Sequence, residues 1–172
     1  LFGYNSLKWD RRIEPLRFRE ARKAYNEALE LVASQTCNHF FNLATAQTNL
    51  DIATSNYASA DTLYRYAEGR YNIGTITENE MLQLEINKLT EETNMMNARI
   101  EVEDRMQILR SYLGIQQEVT LRVIPESEVP HFEIPLGEAL EMAFENSPEP
   151  DMYERMKLQS RSNLAYAKAN AG

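Results

Sequence analysis

Residues 70–82, RYNIGTITENEML, decide how this chain folds. Gly74 is the break between two long helical patterns, one on each side. Thr77 and Glu80 have the spacing of a capping box, which satisfies the orphan amides at a helix start, so a second helix opens at Thr77. Only a few residues separate the two patterns, so they must fold back on each other as an antiparallel hairpin. Ile73 and Ile76 flank the turn, where a polar chain would ordinarily place polar residues.

Upstream, Glu14-Pro15 is a good helix start, with proline early in the first turn where its missing donor costs nothing. From there to about Ile73 only Gly69 interrupts, a span of roughly 59 residues or about 88 Å of helix. Leu43, Ala46, Leu50, Ala53, Tyr57, Ala60, Tyr64, Ala67 and Tyr71 recur at alternating three- and four-residue spacing. This is a heptad seam in which alanines alternate with large residues, suited to a closely packed partner helix. Opposite it lie Thr45, Thr48, Ile52, Ser55, Ser59 and Thr62. Lys, Glu and Arg are better helix formers for a solvated face. Small, weak formers there suit a second helix packing on the other side, although a plain polar face is the simpler reading.

Downstream of the turn, Leu82, Ile86, Leu89, Met96 and Ile100 face one way as the expected hairpin seam. Near Val102 that seam shifts to Val102, Met106, Leu109 and Leu113, as a stutter would produce. Gly114 is the expected left-handed cap. EVTLRVI, residues 118–124, alternates as a short strand would. Pro125, Pro130 and Pro135 then punctuate an irregular connection. A short amphipathic helix follows from about Leu136 to Glu145, and Ser147-Pro148-Glu149-Pro150 starts a last helix of roughly 21 residues. The second and last helices together nearly match the first in length, so two shorter helices stacked end to end would lie along one long one. The expected fold is mainly α: a long antiparallel coiled-coil helical hairpin, a stacked shorter helix, and a small equatorial belt containing a short strand.

Composition narrows the function. The chain has 172 residues, 26% of them charged, with a net charge of −8 and a mean hydropathy of −0.52. That balance disfavours a nucleic-acid partner and suits elongated helices. Cys37 is the single cysteine, which leaves neither a disulfide framework nor a thiolate metal cluster. No run of eighteen apolar residues marks a transmembrane helix. The opening LFGYN has no initiator Met or signal-peptide pattern, and it reads as part of something longer. His39 falls within the first helix and His131 in the proline-rich connection. Glu85, Glu91 and Glu92 read as solvated helix charges. No HExxH, CxxC, phosphate loop or G-x-S-x-G is present, so neither an enzyme nor a resident cofactor or metal is expected. Lys8, Arg11, Arg12, Arg17, Arg19, Arg22 and Lys23 form a basic run diluted by Asp10, Glu14 and Glu20. It reads as a solvated helix face or, given Phe2, Tyr4 and Trp9 nearby, as an end lying against a membrane interface.

RYNIGTITENEMLQLEINKL resembles the hairpin tip of the TolC-like outer membrane efflux proteins. Tyr71, Gly74, Glu80, Met81 and Leu82 match that family's aromatic, glycine, acidic and Val/Met-Leu positions. SYLGI (111–115) and NSPEP followed by an Ala-containing helix resemble later family segments, in the same order. The resemblance implies a trimeric channel for efflux, multidrug export or type I secretion, with an outer-membrane β-barrel and an α-helical tunnel through the periplasm. This chain would supply the periplasmic part of the first structural repeat. Residues 1–13 would be the end of a barrel strand and a linker, and 14–114 the hairpin with its tip near 73–77. Residues 115–148 would be the equatorial belt, and 149–172 a helix leading back to the barrel. The implied partners are two further copies, a periplasmic adaptor protein, an inner-membrane pump, and the outer membrane through barrel strands not seen here. In the family the tip meets the adaptor around a Val-Gly-Leu turn; here Ile73, Gly74, Thr75 and Ile76 stand there, and Thr75 departs from leucine. The two isoleucines could instead pack across the seam as a local clamp. A periplasmic adaptor hairpin or a coiled-coil scaffold is the alternative reading of the whole chain.

Overall fold

A computed structural model describes residues 4–126, 128–129 and 131–171. Four helices follow one another: α1 (Ser6–Asn72), α2 (Glu78–Tyr112), α3 (Leu136–Asn146) and α4 (Glu149–Asn170). They divide between two compact units, residues 34–128 and residues 1–33 with 129–172, and α1 contributes to both.

In the first unit, α1 and α2 form the hairpin. The two hairpin helices end in the same way. At the tip, the Gly74 amide donates to the Tyr71 carbonyl (2.8 Å) and the Thr75 amide to the Arg70 carbonyl (2.9 Å). At the end of α2, the Gly114 amide donates to Ser111 (3.2 Å) and the Ile115 amide to Arg110 (2.9 Å). These are Schellman closures, and they require the left-handed backbone that Gly74 (φ +74°) and Gly114 (φ +70°) adopt. Thr77 and Glu80 make the full reciprocal capping box. The best-buried part of the hairpin joins Leu43 and Ala46 of α1 to Val102, Met106 and Leu109 of α2.

The phase of α2 differs from expectation. Leu82, Ile86, Leu89, Met96 and Ile100 are all exposed, from 40% at Leu82 to 67% at Ile100. The less exposed line runs instead through Met81, Leu84, Lys88, Glu91, Met95, Ala98 and Val102 to Met106 and Leu109. That line alternates three- and four-residue steps as far as Val102, and the two successive four-residue steps from Ala98 through Val102 to Met106 are the shift that a stutter produces. Leu113 is 48% exposed and outside it. The inner line carries Lys88 and Glu91, so its hydrophobicity is weaker than that of the outer stripe, and apolar content alone picks the wrong flank.

Residues 118–124 form no strand. A ladder needs a second backbone to pair with, and among the described residues none lies alongside. A side chain substitutes for it. Gln47 of α1 donates from Nε2 to the Leu121 carbonyl (3.0 Å) and accepts the Val123 amide on Oε1 (3.3 Å), as a neighbouring strand would. Leu121 and Val123 thereby pack on the hairpin core.

In the second unit, α4 lies beside the N-terminal part of α1. The start of α1 is eight residues earlier than Pro15 suggests. Asn5 caps it, accepting the Lys8 amide on Oδ1 (3.2 Å), and Pro15 is inside the helix. Ile13 and Leu16 beside it are buried, at 3% and 4% exposure. Polar bonds tie the two helices together. Asp151 accepts from Arg19 Nε and Lys23 Nζ, each at 3.0 Å, and Arg155 makes two bonds to Glu20. Tyr4 Oη and Ser162 Oγ are 2.8 Å apart. α3 is amphipathic yet has no buried residue, leaving Leu136, Leu140 and Phe144 exposed.

Candidate functional site

With α1 turned back at Gly74, positions equidistant from the turn meet, and the hairpin tip follows from that geometry. Asp61, thirteen residues before Gly74, accepts Lys88, fourteen after it, at 2.7 Å. Arg65 approaches the other carboxylate oxygen at 2.8 Å. The Lys88 ammonium also stands 5.1 Å from the Tyr64 ring centroid, a cation–π distance. The hydrogen bond from Lys88 holds the Asp61 carboxyl below its ordinary range, against partial burial and with help from Arg65. The same bond raises the Lys88 ammonium above its ordinary range. A charged pair inside a heptad seam is costly to move, so it fixes the register of one helix against the other. Closer to the tip, the backbone and side chain of Thr77 hold Glu80 below the usual carboxylate range.

This braced end presents Ile73, Gly74, Thr75 and Ile76. Ile73 is 75% exposed, Ile76 is half-buried, and Gly74 and Thr75 are exposed. A side chain at Gly74 would meet nothing within 4 Å. The Thr75 hydroxyl is occupied in donating to the Arg70 carbonyl at 2.9 Å. Only Ile76 leans into the hairpin, so the two isoleucines do not form a joint clamp. Ile73 is left as an apolar side chain standing in solvent on a rigid turn.

Among the nine α1 seam residues, Leu43, Ala46, Ala60 and Ala67 are buried. Leu50, Ala53, Tyr57 and Tyr64 are half-buried, while Tyr71 at the tip is exposed. Two other faces of the hairpin are open. Thr45, Thr48, Ile52, Ser55, Ser59 and Thr62 are exposed on α1. Thr48, Ser55, Ser59 and Thr62 each return their hydroxyl to the carbonyl four residues back, so this flank offers small side chains with few free donors. On α2 the outer stripe from Leu82 to Ile100 is the second open face.

Groups that could do chemistry are scattered. His39 packs against Tyr112, with ring centroids 4.9 Å apart, and Tyr112 donates to Gln35 at 2.8 Å. Cys37 is exposed, as is His131, while Glu85, Glu91 and Glu92 are half-exposed along α2. Among the described residues, no group of three or more His, Cys, Asp or Glu is placed to hold a metal ion. No described helix is long and apolar enough to cross a membrane.

Sequence reading missed the Asp61–Lys88 pair, the Gln47 clamp and the Asp151 cluster. The first was recoverable, since reflecting the chain about the Gly74–Thr75 link puts residue 61 opposite 88. The other two depend on how the later segments return to α1, which local pattern does not specify. A family model described as outer membrane efflux protein matches residues 1–115. No curated protein and no solved structure matches the chain.

Proposed function

The chain belongs to the outer membrane efflux protein family, and we propose that it forms part of the periplasmic α-helical wall of a trimeric export duct. Its tip, Ile73 to Ile76, docks to a periplasmic adaptor that joins the duct to an inner-membrane pump. Residues 115–148 serve as a belt around the duct.

The observation that carries this reading is the outer stripe of α2. Leu82, Ile86, Leu89, Met96 and Ile100 repeat at helical spacing and remain 40–67% exposed after the hairpin has closed on its own seam. An apolar line on a polar helix, interrupted at Thr93, calls for a second partner. The small Ser/Thr flank of α1 is the kind of surface such a stripe can approach closely. A helix with neighbours on two flanks is an element of a cylinder wall. The tip supports the docking part: a left-handed glycine with open space around it lets another backbone approach, and an exposed Ile73 supplies apolar area worth about 1.5–3 kcal/mol if covered. Three copies around a ring would multiply that contact.

The test uses the full-length channel with one substitution in each surface. Leu89→Asp is expected to lower the trimer fraction, measured by native mass spectrometry of the detergent-solubilised protein. Ile73→Asp is expected to leave the trimer intact while export of a pump substrate collapses. A normal trimer with Leu89→Asp would remove the wall, and normal export with Ile73→Asp would remove the docking tip.

A further inference from the structure

Charge is segregated along this acidic chain. Residues 1–12 and 155–172 hold seven Lys or Arg against one acid, Asp10, whereas the rest holds eleven against twenty-five. The fold gathers these two stretches. The start of α1 and the end of α4 enclose a groove of about 670 Å³ lined by Lys8, Arg12 and Lys168, with Tyr4, Trp9 and Ala165 among its other walls. Lys8, Arg11, Arg12 and Lys168 are exposed, and none takes part in an ion pair among the described residues. Three of the other four cations in the basic run behave differently: Arg17 pairs with Glu14, while Arg19 and Lys23 hold Asp151. Helical rotation of about 100° per residue places Lys8, Arg11 and Arg12 on one face and Asp10 on the opposite one.

Apolar groups accompany the cations. Leu7 is 77% exposed and Tyr166 55% exposed. Tyr166 stacks edge-on against Tyr4, with centroids 5.2 Å apart, and Trp9 is half-buried beside them. Unpaired cations interleaved with Trp, Tyr and Leu match both parts of a bilayer surface: the phosphates, and the headgroup level where amphipathic rings settle. A free anion would use the charges but has no use for Leu7 and the rings. We propose that this end of the molecule is a docking surface for an anionic phospholipid membrane, with Lys8, Arg12 and Lys168 contacting headgroup phosphates and Trp9 at the interface. The overall negative charge does not prevent this, because charges more than about 8 Å away are screened at physiological ionic strength. This surface is independent of the adaptor-docking tip, so either can fail without the other.

Trp9 is the only tryptophan, which makes it a reporter inside the surface. The 172-residue chain is titrated with vesicles of phosphatidylglycerol and phosphatidylcholine, and separately with pure phosphatidylcholine. The expected result is co-sedimentation with the anionic vesicles that weakens as salt rises. It is accompanied by a blue shift of Trp9 emission and quenching by brominated lipid. Replacing Lys8, Arg12 and Lys168 together by Gln is expected to weaken binding by about fivefold per cation, on the order of a hundredfold in all. Lys8→Arg with Lys168→Arg should keep it. Arg70→Gln, Arg99→Gln and Arg122→Gln together, the same charge change in the other unit, should alter it far less. Circular dichroism checks that each variant is folded. Equal binding to neutral vesicles, unmoved Trp9 emission, or equal loss in the two triple variants would overturn the proposal.

Discussion

Leu43→Ala and Leu89→Ala, compared in the same chain, test which flank of α2 faces α1. Leu43 has no exposed surface and sits among Ala46, Val102, Met106 and Leu109. Truncating it loses the transfer energy of the deleted carbons and leaves a cavity lined by Met106 and its neighbours. Such changes cost about 2.7–5 kcal/mol. Flexible Met106 can collapse into part of the space, which argues for the lower end, about 3 kcal/mol. A domain of this size moves by about 2–4 °C for each kcal/mol, so the melting temperature should fall by roughly 6–12 °C. Leu89 is 53% exposed. Its truncation should cost no more than about 0.5–1 kcal/mol, because half of the side chain already faces water and Ala propagates a helix at least as well. The expected shift is at most about 2–4 °C. Thermal melts followed by circular dichroism, with urea titrations to check that the m-value is unchanged, measure both. Equal losses for the two variants would refute the argument, because the seam of α2 would then run through Leu82, Ile86 and Leu89.

The Asp151 carboxyl is held below its ordinary value by its hydrogen bond from Lys23, against the opposing effect of burial and with help from Arg19. A depressed acid stabilises the fold above its unfolded pKa of about 3.9, and that contribution is lost as pH falls through the lower folded value. Acid should therefore loosen α4 from α1 below about pH 4, and melting curves of Asp151→Asn should show a shallower acid dependence than the parent chain. Glycine replacements should differ in sign. Gly74→Ala forces a side chain into φ +74° and should cost about 1 kcal/mol by melting. Gly69→Ala, within α1 and with nothing within 4 Å, should stabilise by about 0.5–1 kcal/mol.

The parts legible in the sequence are those that local chemistry determines. A capping box and two left-handed glycines set the turn at Gly74 and the end of α2, because a cap is satisfied by residues within a few positions of itself. The helical hairpin followed from the shortness of the link. Pro15 misled because proline marks a first turn only by tendency, and Asn5 was a sufficient cap upstream. The strand at 118–124 misled because alternation reports a surface with two faces and not the existence of a partner. Ile73 and Gly74 were legible as an exposed turn, and the pairing of Lys88 with Asp61 was recoverable from that turn by reflection.

The phase of α2 is the instructive case. A helix with one apolar stripe declares its buried face, since only one orientation removes that stripe from water. A helix built to sit between two neighbours carries two stripes, and hydrophobicity ranks them without saying which neighbour belongs to its own chain. Here the stronger stripe, Leu82 to Ile100, points outward, while the weaker one contains a lysine and a glutamate. The weaker stripe runs on into Val102, Met106 and Leu109, which pack with Leu43 and Ala46, and its lysine meets Asp61. A lysine at position 88 can enter the seam because the reflected position carries a carboxylate, and closing the hairpin on the other flank would leave Asp61 to Arg65 alone. The ion pair therefore acts with that core to fix an orientation that apolar area between residues 81 and 100 leaves degenerate, and the outer stripe stays exposed.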